Sequence, residues 1–352
     1  MRIVVVGASG NVGTSLLRAL SADPAVESLV GVARRRPNFA LPKLEWSSAD
    51  IRTADLVELF WGAHAVVHLA WVIQPSHDPA GLHSTNVEGS RRLFEAVVGA
   101  GVSALVYASS VGAYSPGPKD RAVDESWPTD GVASSFYSRH KAATERMLDQ
   151  LEVDHPEVRV VRLRKGLIFK GEAGSGVRRL FLGSLLPAGL LRPSLIPLVP
   201  RTPGLRFQAV HADDVAEAYR LAILGSARGA FNIAADPVLH PDVLGELLSA
   251  RPVPVPRGVL RAGVTMTWRV GLQPTPPGWI DLALQVPILD TTRARVELGW
   301  TPRRSAGEAL LELLEGLWRG EGTDTPPLSP WQGRSAETRA ALEVIAADRR
   351  AA

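Results

Sequence analysis

The opening thirteen residues constrain this chain more than any other stretch. An apolar, β-branched run, Ile3-Val4-Val5-Val6, meets Gly7-Ala8-Ser9-Gly10-Asn11-Val12-Gly13, and the helical pattern Thr14-Ser15-Leu16-Leu17-Arg18-Ala19-Leu20 follows. Strand, glycine turn and helix in that order form half of a dinucleotide-binding unit. Glycines allow the tight turn and the close approach of a diphosphate, whose charge is favoured by the free N–H groups at the helix start. The spacing is G-x-x-G-x-x-G, and it marks Gly7, Ser9, Gly10, Asn11, Val12 and Gly13 as candidate pyrophosphate-binding residues.

Such a site usually carries an acid at the end of the second strand, roughly 20 residues on, for the ribose 2′-hydroxyl. Here the strand Ser28–Ala33 runs into Arg34-Arg35-Arg36. Guanidinium forks bind phosphate oxygens bidentately, so Arg34 and Arg35 predict a 2′-phosphate, and hence NADP(H) in preference to NAD(H).

Strand and helix signals alternate through the first half. Ala65–Ala70, a helix from about Asn86 to Ala100, Ala104–Ser109, a helix around Tyr137 to Leu151 and Arg159–Leu163 are in βαβ order. That order predicts an α/β fold of the Rossmann type, a doubly wound parallel sheet with helices on both faces and ligands at the strands' carboxyl ends. The expected division is a nucleotide-binding domain over 1–165, a smaller substrate-binding part over 166–319 and a C-terminal extension over 320–352. Phe207–His211 and Ala230–Ala234 are expected to return to the sheet, with Asp213 and Asp214 capping the helix that follows.

Tyr137 and Lys141 stand four residues apart, which on a helix puts both on one face. A phenol in water has a pKa of about 10, and a neighbouring ammonium would bring it into the range of useful proton transfer.

Together these residues give the chain a resemblance to the extended short-chain dehydrogenase/reductases, of the NAD(P)-dependent epimerase/dehydratase type. It covers roughly residues 1 to 315. The ordered set that carries it is Gly7/Gly10/Gly13, Asp50-Ile51, His68-Leu69-Ala70-Trp71, Asn86-Val87-Glu88-Gly89, Ser109-Ser110-Val111-Gly112-Ala113-Tyr114, Tyr137/Lys141 and His211-Ala212-Asp213-Asp214-Val215. The resemblance implies that Asp50 and Ile51 flank the adenine, that Leu69 and Ala70 lie along the cofactor, and that Ser109 faces the nicotinamide side. It also implies that Ser110 is the catalytic serine beside Tyr137 and Lys141. Asn86 matches an asparagine that opens a long helix in the family, as an N-cap, a catalytic residue or both. Lys165 departs from the pattern, because the family often has proline after Leu-Arg.

Hydride transfer at a secondary alcohol or ketone carbon would follow. Tyr137 would exchange the hydroxyl proton, Ser110 would hydrogen-bond the same oxygen, and Lys141 would lower the phenol pKa and bind the nicotinamide ribose. Dehydratases of the family need an Asp-Glu pair directly after the catalytic serine. This chain has Val111-Gly112 there, which argues against dehydration. The reading favoured is an NADP(H)-dependent oxidoreductase. Its alternatives are an NAD-dependent sugar-nucleotide epimerase, for which Arg178, Arg179, Arg201, Arg206 and Arg293 are diphosphate-binding candidates, and a non-catalytic NADP(H)-sensing protein.

Length and composition set further bounds. The 352 residues suffice for a large core, and the net charge of +3, from 39 basic and 36 acidic residues, includes no basic stretch interleaved with aromatics. Nucleic acid is not expected as a partner; a small-molecule substrate is. The absence of cysteine removes disulfides, thiolate nucleophiles and cysteine metal sites, and no metal is expected. Leu180 to Pro200 is apolar but broken by Arg192 and four prolines, so no membrane span is expected. The strand-forming start leaves no room for a signal peptide, and a cytoplasmic protein is expected. Trp71, Trp127, Trp268 and Trp279 are candidates to line an apolar pocket. The helices near 86–100 and 137–151 could pair two copies into a homodimer.

Overall fold

The computed structural model describes residues 1–182 and 196–329. Much of the apolar stretch from Leu180 to Pro200, and most of the C-terminal extension over 320–352, lie outside the described residues.

The central sheet has seven strands. They are β1 (Arg2–Val6), β2 (Ser28–Ala33), β3 (Leu44–Ser48), β4 (Ala65–His68), β5 (Ala104–Tyr107), β6 (Arg159–Lys165) and β7 (Gly229–Ile233). Their spatial order is 3-2-1-4-5-6-7, and every pairing is parallel. The fold is the Rossmann-like α/β sheet that the alternation of signals predicts. Strand order reverses between β1 and β4, so the loops leaving these two strands diverge and open a crevice.

Successive side chains of a strand point to opposite faces, and β1 feeds two cores accordingly. Ile3 and Val5 join Leu16, Leu17 and Leu20 of helix α1 (Asn11–Ala22) on one face. Val4 and Val6 join Phe60, Leu93 and Val97 on the other. The second face is covered by helices α2 (Gly89–Gly99) and α3 (Phe136–Asp154), and the first also by α4 (Ala212–Leu224). Each fully buried leucine contributes about 1.5–3 kcal/mol of apolar transfer free energy. On the two helices that could pair two copies, Leu93, Ala96, Val97 and Leu148 are buried against this sheet within one chain, and Met147 packs there partly buried.

The substrate-side elements depart from expectation in three places. Strand β7 does return to the central sheet, beside β6. Phe207–His211 does not; it pairs with Leu167–Phe169 and Ala235–Leu239 in a separate three-stranded sheet. The N-cap of α4 is not an aspartate but His211, whose Nδ1 accepts from the Asp213 amide at 3.1 Å. Asp214 is turned inward, accepting from the amides of Arg303 and Arg304, so both residues serve the fold. The helix α5 (Ala306–Arg319) begins with a capping box between Ser305 and Glu308 and ends at Gly320 in the left-handed conformation. Among the described residues no helix is long and apolar enough to cross a membrane.

Candidate active site

The crevice at the switch point is lined by Val6, Gly7, Ser9 and Gly10 from the first loop, Arg34 from the end of β2, Asp50 and Ile51 after β3, and Leu69, Ala70 and Trp71 after β4. The three glycines act differently in it. Gly7 has φ +85°, and a Cβ there would stand 2.5 Å from the Ala70 nitrogen. At Gly13 a Cβ would stand 2.4 Å from the Ala8 carbonyl oxygen, so the glycine lets α1 close onto the turn. Gly10 meets nothing nearer than 3.5 Å, which leaves open space above it. As N-cap of α1 it offers no side chain to the first amides, and the first turn carries no acidic residue. Unpaired N–H groups and a positive dipole end therefore face a cavity whose floor has no room for side chains, which fits a dinucleotide diphosphate.

At the adenosine end, Ile51 is buried, with its Cδ1 packed so tightly on Gly89 that a Cβ there would be 2.7 Å away. The Asp50 carboxylate is held by Arg52 through its amide and guanidinium at 2.7–3.2 Å. The Arg52 hydrogen bond chiefly, with help from the charges of Arg52 and Arg34, keeps that carboxyl below its ordinary pKa. Asp50 is thus on the cleft wall and does not cap the next helix, whose N-cap is Asp55.

The chemistry-bearing side chains lie beyond β4 and β5. Ser135 caps α3, which carries Tyr137 and Lys141 on adjacent turns of one face. The Tyr137 ring packs on Gly112, where any Cβ would be 2.8 Å away, and Ser110 caps the short turn Val111–Ala113 beneath it. Burial pushes the Tyr137 phenol above 10, and the Ser110 hydroxyl pulls it partly back. Lys141 does not take part in that balance here. Its ammonium donates to the Ala108 carbonyl at 2.6 Å and to the Tyr107 hydroxyl at 3.2 Å, and lies 3.5 Å over the Trp71 ring and 5.9 Å from the Tyr137 ring centre. Burial, and then the charge of Lys165, depress the Lys141 pKa well below the ordinary lysine range, against an opposing pull from Glu145.

Two expected roles change. Ser109 is buried and donates to Glu145, so its side chain points into the protein and not along a nicotinamide. Asn86 caps no helix. It sits in a wide turn, Ser84–Glu88, inside a continuous helical run, and grips the chain after β4. Its Oδ1 accepts from the Val72 amide at 2.9 Å, and its Nδ2 donates to the Val72 carbonyl at 2.7 Å. It thereby holds Val72 on the cleft wall.

Glu145 escaped sequence reasoning altogether. Fully buried, it pairs with Arg162 at 3.0 Å and Arg164 at 2.9 Å. Burial alone would raise its pKa, but the Arg164 hydrogen bond and the two guanidinium charges outweigh that and hold it at about 2. Two arginines spaced by two on a strand buried on both faces were the available signal, since both must meet one carboxylate on the same side. Lys165 is also buried, donating to the Tyr219 hydroxyl at 2.9 Å, and burial lowers its pKa to about 7. Of the four tryptophans, Trp71 and Trp279 flank Tyr137 at ring distances of 5.9 and 4.8 Å. Trp268 stacks on His77, and Trp127 donates to the Ser115 carbonyl. Arg201 is spent on Asp242, and Arg293 on Glu297 and main-chain carbonyls.

The model of the NAD dependent epimerase/dehydratase family matches residues 3–234. An uncharacterized protein of Mycobacterium tuberculosis is 27% identical over 313 residues, which are 88% of this chain but 29% of that protein. The chain thus spans less than a third of the length of that curated relative. A UDP-glucose 4-epimerase of Neisseria meningitidis serogroup C is 26% identical over 349 residues, covering 90% of this chain and 96% of its own. Among solved structures, the UDP-glucose 4-epimerase of Thermus thermophilus in complex with NAD superposes with a TM-score of 0.67 at 23% identity, over 91% of this chain and 99% of that one. That likeness is one of fold.

Proposed function

Because this chain belongs to the NAD-dependent epimerase/dehydratase family, whose members are extended short-chain dehydrogenase/reductase enzymes, we propose that it catalyses oxidoreduction at a secondary alcohol or ketone carbon. The observation that carries this reading is the convergence of Tyr137, Ser110 and Lys141 beside a cleft floored by side-chain-free glycines. A nicotinamide dinucleotide, when bound, supplies or accepts the hydride. Gly7, Ser9, Gly10, Asn11, Val12 and Gly13 would hold its diphosphate, Asp50, Ile51 and Arg34 its adenosine end, and Leu69 and Ala70 its length.

Tyr137 would hold or release the proton at the substrate oxygen, and Ser110 would hydrogen-bond that oxygen. With its pKa above 10 the phenol keeps its proton at neutral pH, which suits donation to a developing alkoxide. Lys141, its Nζ 5.9 Å from the Tyr137 ring centre, would by its charge stabilise the phenolate needed for the reverse direction. We read residues 1–165 as mainly nucleotide-binding and 166–319 as mainly binding a small-molecule substrate.

Two forms of this chemistry are open to the site. The named relatives support a sugar-nucleotide epimerase, in which oxidation and re-reduction occur on one retained NAD. A second reading, a reductase with exchangeable NADP(H), is favoured by Arg34 on the cleft wall. Incubation with UDP-glucose or UDP-galactose distinguishes them: interconversion without net change in nicotinamide absorbance supports the epimerase, and stoichiometric NADPH consumption with a ketone supports the reductase. Tyr137→Phe should abolish either while nucleotide binding survives. Unchanged turnover in that variant would exclude the proposed chemistry.

A further inference from the structure

From Arg251 to Ile280 the sequence holds four arginines and no aspartate, glutamate, lysine or histidine. Within this stretch lies a helix, Arg257–Arg269, joined to the helix Gly278–Gln285 by an ion pair of Arg261 with Asp281 at 2.8 Å. The first of these helices is apolar on two sides. Leu260, Val264 and Trp268, spaced by four, form its inner side and are partly covered. Trp268 fixes that side in place: its ring stacks on His77 at 4.5 Å, and its indole N–H donates to the Ser76 hydroxyl at 3.1 Å.

The opposite side is left open among the described residues. Val259, Met266 and Val270, spaced by seven and four, fall on one stripe with Ala262 and Gly263 between them, and they are 63%, 71% and 63% exposed. Leu272, just past the helix end, is 51% exposed. Single exposed apolar side chains are ordinary, but a contiguous stripe of them on one short helix marks a surface that meets something other than water. Arg269 is exposed at the border of the stripe. Arg257 donates to the Pro203 carbonyl at 2.6 Å, a neutral partner that leaves its charge in place.

We propose that the helix Arg257–Arg269 docks the protein on an anionic lipid surface, with Val259, Met266, Val270 and Leu272 at the acyl boundary and the arginines among the headgroups. An apolar stripe bordered by basic residues, with no acid on the helix, suits a segment that lies in the interface, and its 13 residues do so without spanning the bilayer. A second copy of this chain fits the face less well, because a two-fold pairing of these helices would set arginine against arginine with no carboxylate on the stretch to balance them. The surface adjoins the candidate active site. The neighbouring helix carries Trp279, whose ring lies 4.8 Å from that of Tyr137, so docking would turn the substrate side of the protein toward the membrane.

Cosedimentation of the full chain with vesicles of phosphatidylcholine alone, and of equimolar phosphatidylcholine and phosphatidylglycerol, tests it. The protein should partition onto the second and much less onto the first. Met266→Asp takes an apolar side chain out of the acyl boundary and adds a charge that the lipid repels, and should cut partitioning at least about tenfold. Arg269→Gln should cut it about fivefold. Both side chains are exposed, so the melting curves of the variants should match that of the unaltered protein. Failure of the unaltered protein to bind the phosphatidylglycerol vesicles would overturn the inference. Binding that high salt abolishes and Met266→Asp leaves unchanged would overturn it too, by assigning the attraction to diffuse positive charge. Self-association in sedimentation equilibrium that Met266→Asp abolishes, with no binding to vesicles, would give the face to a second copy.

Discussion

The Lys141 ammonium lies 3.5 Å above the Trp71 ring, on the side of α3 that also carries Tyr137. A cation over an indole face gains about 0.5–2 kcal/mol, more when desolvated, so Trp71 holds the lysine at the edge of the cleft. Trp71→Leu should therefore weaken NADH or NADPH binding by roughly 2–30-fold, and Trp71→Phe by less. Nicotinamide fluorescence titration reads this directly; equal affinities across the three proteins would show that the stacking does not steer Lys141.

The glycines make a graded prediction. At Gly13 an added methyl would meet the Ala8 carbonyl at 2.4 Å, and at Gly7 the Ala70 nitrogen at 2.5 Å, both of them main-chain atoms that cannot step aside. Gly13→Ala and Gly7→Ala should lower the melting temperature or prevent folding. Gly10→Ala meets only a 3.5 Å neighbour at a helix N-cap, so it should fold normally and lose at least about tenfold in nucleotide affinity. Melting curves and titrations of the three variants check the ordering, and a destabilised Gly10→Ala would contradict it.

His68 gives the stability a pH dependence. Buried on β4 with Nε2 2.8 Å from the Ser90 hydroxyl, it is driven to a pKa of about 3, by burial first and the Lys141 charge second. A histidine whose pKa is lower folded than unfolded withholds a proton that the unfolded chain binds. Its contribution is intact above pH 6.5 and drains away as pH falls toward 3. Between pH 6.5 and 5 the loss is about 2 kcal/mol. Urea unfolding at these two pH values should show that loss in the native protein and much less of it in His68→Gln, which keeps a donor for Ser90. A parallel pH dependence in the two would locate the titration elsewhere, His140 with its pKa of about 4 being next in line.

The Glu145 cluster should be the most sensitive buried position. Removing one member of a buried ion pair strands the other charges, at a cost of about 3–5 kcal/mol. Glu145→Gln should lower unfolding free energy by that order, measured by urea denaturation at neutral pH. Since its folded pKa of about 2 lies below the ordinary 4.5, the stability it gives is present above pH 4.5 and lost as pH falls toward 2, and the variant should lack that acid-dependent loss.

The features legible in the sequence were those fixed by short-range sterics. Gly7 and Gly13 had to be glycine because of atoms one turn or one strand away, and the β-branched runs alternating with helical patterns dictated the sheet. The placing of Tyr137 and Lys141 on one face of α3 was legible because helix geometry relates residues four apart. The partner each side chain finds across the sheet was not legible. Ser109 turns to Glu145 because a buried carboxylate needs donors, and Asp50 turns to Arg52 because a guanidinium two residues away is within reach; neither choice is encoded in a motif. Phe207–His211 reads as any buried strand, and nothing in its apolar pattern says which sheet will accept it. Arg179 donates to the carbonyl of Pro327, 148 residues away, and no periodicity connects them.

Asn86 presents to Val72 one acceptor and one donor at the spacing of a peptide group, so a side chain serves as a one-residue neighbour to the strand where no strand continues. An aspartate offers no donor and a glutamine reaches too far, which makes this position intolerant of its two nearest chemical analogues although it need never touch a substrate. A screen that scores residues by loss of turnover would rank Asn86 with Tyr137, and only a measurement of where Val72 then sits would tell the carpenter from the tool.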